Sequence, residues 1–465
     1  MIPALLALVV AWAAMAFGAV YSWAIAPVGV SVVALAAWQC RPSEGPIPRI
    51  VIAGACLLLA PLALQLIPLP IATLERVSPA ARGFLSYFDV AIANGISAHH
   101  AISIDPHSTM RALVYLGLWI LWTLTCVSAL ARGMSPRELA RNIAIVATIV
   151  ALVGLAQKAT FNGRILWFWT PEAYATNSFG PFVNRNHFAG WMVLAFSLTL
   201  GLALGYASRS DFASRGSWRE RMLWLGSPAA SPMLVASAAS VVMACALMWT
   251  MSRSGIIAMG CAVTLMMAAV AYRSNGRAQR TLAIGYAVAL VVAVITWRGT
   301  ETLFAWYGNT GTWQWRVQLW RDTLPALHDY WVTGSGLNTY SSLMLIQPRT
   351  DMSVQPLQAH NDYLQLLVEG GVLVCLPVLV VVAAISRRLV AALRMPQEPL
   401  TWWVRMGSVA AICGMAVQEI SEFSLQIPGV AVLFGVCLAI AVHHPASGRH
   451  SSRAARPTRQ ARAAA

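Results

Sequence analysis

Long apolar runs separated by short polar segments dominate the chain. Read as helices, these runs can cross a hydrocarbon core of about 30 Å. The first run lacks a basic leading segment and continues into a second run, which favours a transmembrane helix over a cleaved signal peptide. The pattern predicts an all-α polytopic membrane protein with about twelve transmembrane helices. The runs lie at about 4–23, 26–40, 50–68, 112–130, 142–157, 188–206, 233–250, 254–272, 281–297, 363–386, 403–420 and 426–443.

The composition agrees with this prediction. Hydrophobic residues make up 58% of the chain and charged residues only 11%, and the mean hydropathy is +0.64. Soluble globular proteins have a much higher charged fraction. The lipid bilayer is therefore the predicted environment of most of the chain.

The arginines predict the orientation. With the N-terminus in the cytoplasm, every arginine-rich connection falls on the cytoplasmic side, as the positive-inside rule requires. The net charge of +15 then follows from topology, and no nucleic-acid partner is predicted. The expected organisation is helices with short loops over 1–297, a large external loop over 298–362, helices over 363–443, and a basic, disordered cytoplasmic tail over 444–465.

Metal and cofactor chemistry has no motif in this sequence. All eight cysteines lie in or beside apolar runs, without metal-ligand spacing or a disulfide framework. Asp-x-Asp, HExxH, GxSxG and Walker motifs are also absent. We therefore expect neither a metal nor a cofactor.

Three long segments fall on the external side, at about 69–111, 158–187 and 298–362. The last contains an amphipathic helix in which Trp313, Val317 and Trp320 recur at helical spacing. Its indoles suit the membrane interface; stacking against sugars is the alternative. We expect short helices in this loop.

His360 is the leading candidate for chemistry. It lies in Gln358-Ala359-His360-Asn361-Asp362-Tyr363-Leu364, where the long external loop enters an apolar helix. Imidazole accepts protons near neutral pH. A helix-capping or interfacial histidine is the alternative interpretation.

Arginines on the external side of the membrane run against the positive-inside rule, so topology does not explain them. Arg253 lies in the short turn Ser252-Arg253-Ser254-Gly255 between two apolar runs, and Arg316 and Arg185 are weaker examples. Guanidinium groups bind phosphate through forked donors, so an anion site is predicted; an interfacial anchor remains the alternative for Arg253. For Arg185, between Asn184 and His187, a capping or lid role and a catalytic role both stay open.

Glu369, Glu419 and Glu422 lie within or beside apolar runs. An ionised carboxylate is costly there and usually faces a partner or a cavity. Each of them could pair with an arginine to hold the helices together. For Glu369, which lies nine residues after His360, a structural or orienting role is favoured.

The order of four motifs resembles the bacterial O-antigen ligase and polymerase superfamily. They are Gly180-Pro181-Phe182-Val183-Asn184-Arg185-Asn186-His187-Phe188-Ala189-Gly190, Ser252-Arg253-Ser254-Gly255, Gly334-Ser335-Gly336 and Ala359-His360-Asn361-Asp362-Tyr363-Leu364. The resemblance implies an all-helical architecture like that of class C glycosyltransferases, with a large periplasmic loop. It also implies a site facing the periplasm and a glycan donor on undecaprenyl diphosphate.

The resemblance makes His360 the catalytic base and Arg253 and Arg316 the arginines that bind the diphosphate, to which Arg185 is added. Arg321 competes with Arg316 for the same role. Transfer is then expected to be metal-independent and inverting, because no carboxylate is evidently placed to form a covalent glycosyl intermediate. Supporting roles are expected for Asn361, Asp362, Glu369, Asn184, His187 and Arg321.

Four functions remain open at this point. The favoured one is a ligase that transfers the glycan to an acceptor such as lipid A-core. The others are a polymerase that extends a growing glycan of an O-antigen or exopolysaccharide, transfer to protein hydroxyls, and a non-enzymatic transporter or flippase. All of them place the chain in the bacterial inner membrane with both termini in the cytoplasm.

Overall fold

The computed structural model describes residues 1–39, 49–171, 177–209, 217–273, 311–347, 350 and 355–443. Helices form most of this part of the chain, beside one pair of two-residue antiparallel strands. The helices are α1 (Ile2–Met15), α2 (Ser22–Gln39), α3 (Arg49–Gln65), α4 (Ile71–Val77), α5 (Pro79–Phe88), α6 (Val90–Ala93), α7 (Pro106–Ala131), α8 (Pro136–Ala159), α9 (Arg185–Arg209), α10 (Trp218–Leu225), α11 (Ser231–Trp249), α12 (Arg253–Arg273), α13 (Gly311–Asp329), α14 (Tyr340–Leu343), α15 (Asp362–Arg394), α16 (Pro399–Gln418) and α17 (Pro428–Val442). The strands are β1 (Leu69–Pro70) and β2 (His99–His100).

The helices agree closely with the apolar runs. Eight helical stretches in the described residues are long and apolar enough to cross a membrane, and α1, the apolar part of α3 and α17 are shorter apolar helices. An all-α multi-pass membrane protein is thus confirmed. The predicted span 281–297 and the predicted tail 444–465 lie outside the described residues.

One predicted boundary was wrong. The first run was predicted to continue to about residue 23, but α1 ends at Met15 and a short turn over Phe17–Ala19 separates it from α2. In this turn Phe17, Gly18 and Ala19 have positive φ angles. Phe17, Gly18 and Ala19 are all buried. Because these residues are also apolar, the turn does not interrupt the apolar run and was not recognised in the sequence.

Helix α9 is the centre of the bundle, because 94% of the residues in its most apolar stretch are buried. It packs on α16 with the two backbones almost in contact. A Cβ at Gly201 would lie 2.5 Å from the carbonyl oxygen of Trp403, and a Cβ at Gly407 would lie 2.6 Å from that of Ser197. Close backbone approach at small residues is a common way for membrane helices to associate.

A second, smaller core lies beside the helical bundle. It joins two segments that are far apart in the sequence, because Leu74 and Phe84 pack with Tyr330 and Leu343. The side chain of Gln65 reinforces the junction by donating hydrogen bonds to the carbonyl oxygens of Thr333 and Glu369. The external segments predicted at 69–111 and 298–362 therefore pack against each other.

Helix α15 is interrupted where this loop contacts it. Gly371 has φ +56 and ψ −166, outside the helical range. The freed backbone carbonyls of Val368 and Glu369 accept hydrogen bonds from the N–H groups of Ser335 and Gly336. The loop is therefore fixed to the start of α15, which follows directly after His360.

Candidate functional site

The predicted site residues converge at one end of the bundle. Arg185 begins α9, Arg253 begins α12, Arg316 lies in α13, and His360 precedes α15. A short segment between α16 and α17, residues 419–427, contacts Arg316 and His360. Five separate parts of the sequence thus contribute to one polar cluster.

His360 is held in an uncommon backbone conformation. Its φ angle is +49, which is rare for a residue with a side chain and costs on the order of 1–3 kcal/mol. Its ring packs edge-on against Trp315, at 5.5 Å between ring centres, and Phe423, at 5.0 Å. The side chain is 22% exposed, so the ring is both fixed in place and accessible.

Glu422 is the residue that connects the cluster. Its side chain is only 1% exposed, and Oε1 accepts hydrogen bonds from Arg316 Nη2 at 2.5 Å and Asn186 Nδ2 at 2.7 Å. Its other oxygen, Oε2, lies 3.8 Å from Nδ1 of His360. Both of these atoms are buried and have no hydrogen-bond partner among the described residues. A small movement of either side chain toward the other would form a hydrogen bond between them.

The charge of Glu422 is maintained by its neighbours. Burial alone raises the pKa of this carboxyl, but its interaction with His360 and the charge of Arg316 together hold the pKa below its ordinary value. Glu422 is therefore ionised at neutral pH. A carboxylate beside Nδ1 orients the imidazole and stabilises the imidazolium that forms when the ring takes a proton.

Arg316, rather than Arg321, is the arginine of α13 that enters the cluster. Arg316 is 12% exposed and binds both Glu422 and, at 2.6 Å, the carbonyl oxygen of Ser421. Its Nε is buried without a hydrogen-bond partner among the described residues. Arg321 is exposed on another face of the helix.

Arg253 and Arg185 bring further positive charge to the same place. The charge of Arg185 interacts with those of Glu422, Arg253 and Arg316. The helices that carry Arg185 and Arg253 are tightly packed near these residues, since a Cβ at Gly255 would lie 2.6 Å from that of Ala189. Arg185, Arg253 and Arg316 thus lie close together, and clustered guanidinium groups suit the binding of an anion.

The polar sequence before α9 supports the cluster in several ways. Asn184 accepts the N–H of Asn186 through its side chain, at 2.8 Å. This turn helps place the Asn186 amide on Glu422. His187 is buried and packs edge-on against Phe423 at 4.8 Å, so the Phe423 ring lies between the two histidines.

The remaining predicted residues hold the loop that carries His360. Asn361 caps α15 by accepting the N–H of Leu364 at 3.0 Å. Glu369 accepts the N–H groups of Asn338 at 2.8 Å and Tyr340 at 2.9 Å. Glu369 thus binds the backbone of the loop that precedes His360, and the structural or orienting role expected for it stays a prediction.

The segment that contains Arg253, Arg316 and His360 matches a known family. Residues 238–379 match the family model Wzy_C, described as O-antigen ligase. This segment belongs to the O-antigen ligase superfamily. The resemblance found in the motifs is thus confirmed, and it indicates glycan transfer of the ligase or polymerase type in a membrane environment. No curated protein matches the chain.

The O-antigen ligase segment contains Arg253, Arg316 and His360 but ends before Glu422. It also begins after Arg185 and Asn186. The cluster is therefore completed by residues on both sides of the matched segment.

Sequence reasoning did not place Glu422 or Asn186 in this polar cluster, although it singled out Glu422 as a carboxylate that could pair with an arginine. Glu422 had one usable signal, a carboxylate at the edge of an apolar run, which is expected to face a partner. Asn186 lies between two residues that were singled out, Asn184 and His187. Its contact with Glu422 joins residues 236 positions apart, which no local pattern reveals.

Proposed function

We propose that the protein is an O-antigen ligase-type glycosyltransferase. It transfers a glycan from undecaprenyl diphosphate to an acceptor hydroxyl, such as one of lipid A-core, at the periplasmic face of the bacterial inner membrane. The observation that carries this proposal is the joining of His360, Glu422 and Arg316 in one cluster beside Arg253 and Arg185.

The proposed reaction is a single displacement. The acceptor hydroxyl loses its proton to Nε2 of His360 as its oxygen forms a bond to the anomeric carbon. The bond from that carbon to the diphosphate oxygen breaks, and its electron pair leaves with undecaprenyl diphosphate. The anomeric configuration inverts, and the imidazolium later returns its proton to water. Positioned proton transfer of this kind contributes about 10²–10⁴ in rate.

Glu422 and the arginines have separate tasks in this proposal. The Glu422 carboxylate faces Nδ1, so Nε2 is the nitrogen left to face the acceptor. Arg253 and Arg185 bind the diphosphate, and the unpartnered Nε of Arg316 adds a donor. Stabilising the charge that develops on a leaving group is usually the largest catalytic effect.

Substitutions of the arginines test this assignment. Arg253→Ala should abolish transfer, and Arg253→Lys should also fail, because an ammonium group keeps the charge but loses the forked geometry. Arg321→Ala is the matched control for Arg316→Ala, since both residues lie on α13 and only Arg316 contacts Glu422. Equal activity in these two α13 variants would remove Arg316 from the site.

Glycan analysis of a deletion strain separates ligase from polymerase. Envelope glycans and undecaprenyl-linked intermediates would be measured by gel and mass spectrometry, with wild-type or His360→Ala complementation. A ligase predicts long polymers on the lipid carrier and an unmodified acceptor. Single repeat units on the carrier would instead indicate the polymerase, and unchanged glycans would contradict both.

A further inference from the structure

Two carboxyl groups meet beside the proposed site without taking part in the chemistry described above. Asp362 is the first residue of α15, two positions after His360, and Glu419 follows the end of α16. Their side chains are in contact. The backbone N–H of Asp362 also donates to the carbonyl oxygen of Glu419 at 3.1 Å.

The side chain of Glu419 cannot be satisfied as a carboxylate. It is 1% exposed, and neither of its oxygens has a donor in hydrogen-bonding geometry among the described residues. The N–H of Ser424 lies near this carboxyl and lowers its pKa, but it is not in hydrogen-bonding geometry. Carboxylate oxygens only accept hydrogen bonds, so two carboxyl groups can bond to each other only when one carries a proton. Like-charge carboxylates at such short range do not both ionise readily.

We propose that Asp362 and Glu419 share one proton and that this pair acts as a positioning device, which holds His360 in place over Glu422. The inference rests on the proposed function, because it assigns these residues to the same site. Neither of them touches the substrate in this proposal. Their task is to fasten the backbone that carries the histidine.

The connections around the pair support this role. Gln426 Nε2 donates to Asp362 Oδ1 at 2.7 Å, and Tyr363 Oη donates to the carbonyl oxygen of Ala416 at 2.7 Å. The segment after His360 is thereby fastened to the segment that carries Glu422. Such fastening is needed because the φ angle of +49 at His360 is maintained only when surrounding contacts enforce it.

The pair makes this fastening sensitive to pH. Burial and the neighbouring Asp362 carboxyl raise the pKa of Glu419 well above its ordinary value. The other titratable groups that interact with the pair are Glu422, Tyr363 and Glu369. Below the raised pKa the shared proton joins the two groups; above it they repel and release the histidine segment. Transfer should therefore fall as pH rises through this range.

Glu419→Gln separates the shared proton from a merely structural role. Its amide can donate to Asp362 at any pH, so the full-length variant should keep its activity to a higher pH than wild type does. If the upper pH limit of activity moves by about one pH unit, the variant should be roughly tenfold more active than wild type above the wild-type limit. Glu398→Gln is the matched control, since Glu398 pairs with Arg209 at the other end of α16.

The rates would be measured with an undecaprenyl-diphosphate-linked glycan as donor. Identical upper pH limits of activity in Glu419→Gln and wild type would overturn the proposal. An infrared measurement on purified wild type gives a second readout that needs no activity. A protonated carboxyl band should disappear as the pH is raised, and it should be reduced in both Glu419→Gln and Asp362→Asn. An unchanged band in both variants would overturn the shared proton. Wild-type protein that shows this band but transfers no glycan would contradict the proposed function alone.

Discussion

Replacing Glu422 with glutamine removes one charge from the centre of the proposed site and preserves the shape of the side chain. The amide can still accept the hydrogen bond from Asn186, but it offers no negative charge to Arg316 or to a protonated His360. We expect a large loss of transfer rate with little change in donor binding, because the imidazolium forms only as the reaction proceeds.

The distance in the structure sets the magnitude. Oε2 of Glu422 lies 3.8 Å from Nδ1 of His360. At this separation and an effective dielectric constant of about 20, Coulomb's law gives roughly 4 kcal/mol between a carboxylate and an imidazolium. Each 1.4 kcal/mol corresponds to about a tenfold change in rate, so kcat should fall by about 10²–10³.

The assay is glycan transfer by purified protein in proteoliposomes, with kcat and KM for the lipid-linked donor determined separately. Glu398→Gln is again the control, because it removes a carboxylate that also pairs with an arginine but lies far from His360. A Glu422→Gln protein with wild-type kcat would refute the reasoning. A change confined to KM would assign Glu422 to substrate binding instead.

Three further predictions follow from the same contacts. Asn186→Ala removes a hydrogen bond to the ionised Glu422, a kind of bond worth about 1.5–3 kcal/mol, so kcat should fall by roughly tenfold to a hundredfold; an unaltered kcat would show that Arg316 alone suffices. Because the pKa of Glu422 is lowered, its stabilising contribution is present above the pKa of the unfolded chain and is lost as pH falls through the folded value. Thermal unfolding of wild type should show this loss on acidification, and Glu422→Gln should lack it; parallel curves would contradict the ion pair. Gly334→Ala should lower the melting temperature, because the added Cβ would lie 2.1 Å from the carbonyl oxygen of Glu369. Gly260→Ala, with nothing within 4 Å of its Cβ, should not, and equal melting temperatures would contradict the docking of the loop on α15.

The membrane helices were predictable because their signal is local. A long apolar run needs no partner to be recognised, and the predicted runs agree with the described helices to within a few residues at most ends. The turn over Phe17–Ala19 was missed because its residues are apolar and buried. The interruption of α15 was also missed, although Gly370-Gly371 in an apolar run was a usable signal.

The site was predictable only in part. His360 and Arg253 stand out because a polar residue at the end of an apolar helix is unusual, and the family motifs mark the same positions. The contacts by which Glu422 connects His360 to Arg316 could not be read from the sequence. Glu422 reaches Arg316 across 106 positions, and this contact depends on how α13 packs over the segment after α16. The choice of Arg316 over Arg321 depends on the same packing.

The most direct test of the central proposal is a transfer assay with purified full-length protein, a defined undecaprenyl-diphosphate-linked glycan and a lipid A-core acceptor, with products identified by mass spectrometry. Wild type and His360→Ala would be compared at equal amounts of folded, membrane-inserted protein. The proposal predicts a glycosylated acceptor and released undecaprenyl diphosphate with wild type, and a loss of at least about 10²-fold in rate with His360→Ala. Transfer by His360→Ala at the wild-type rate would contradict it.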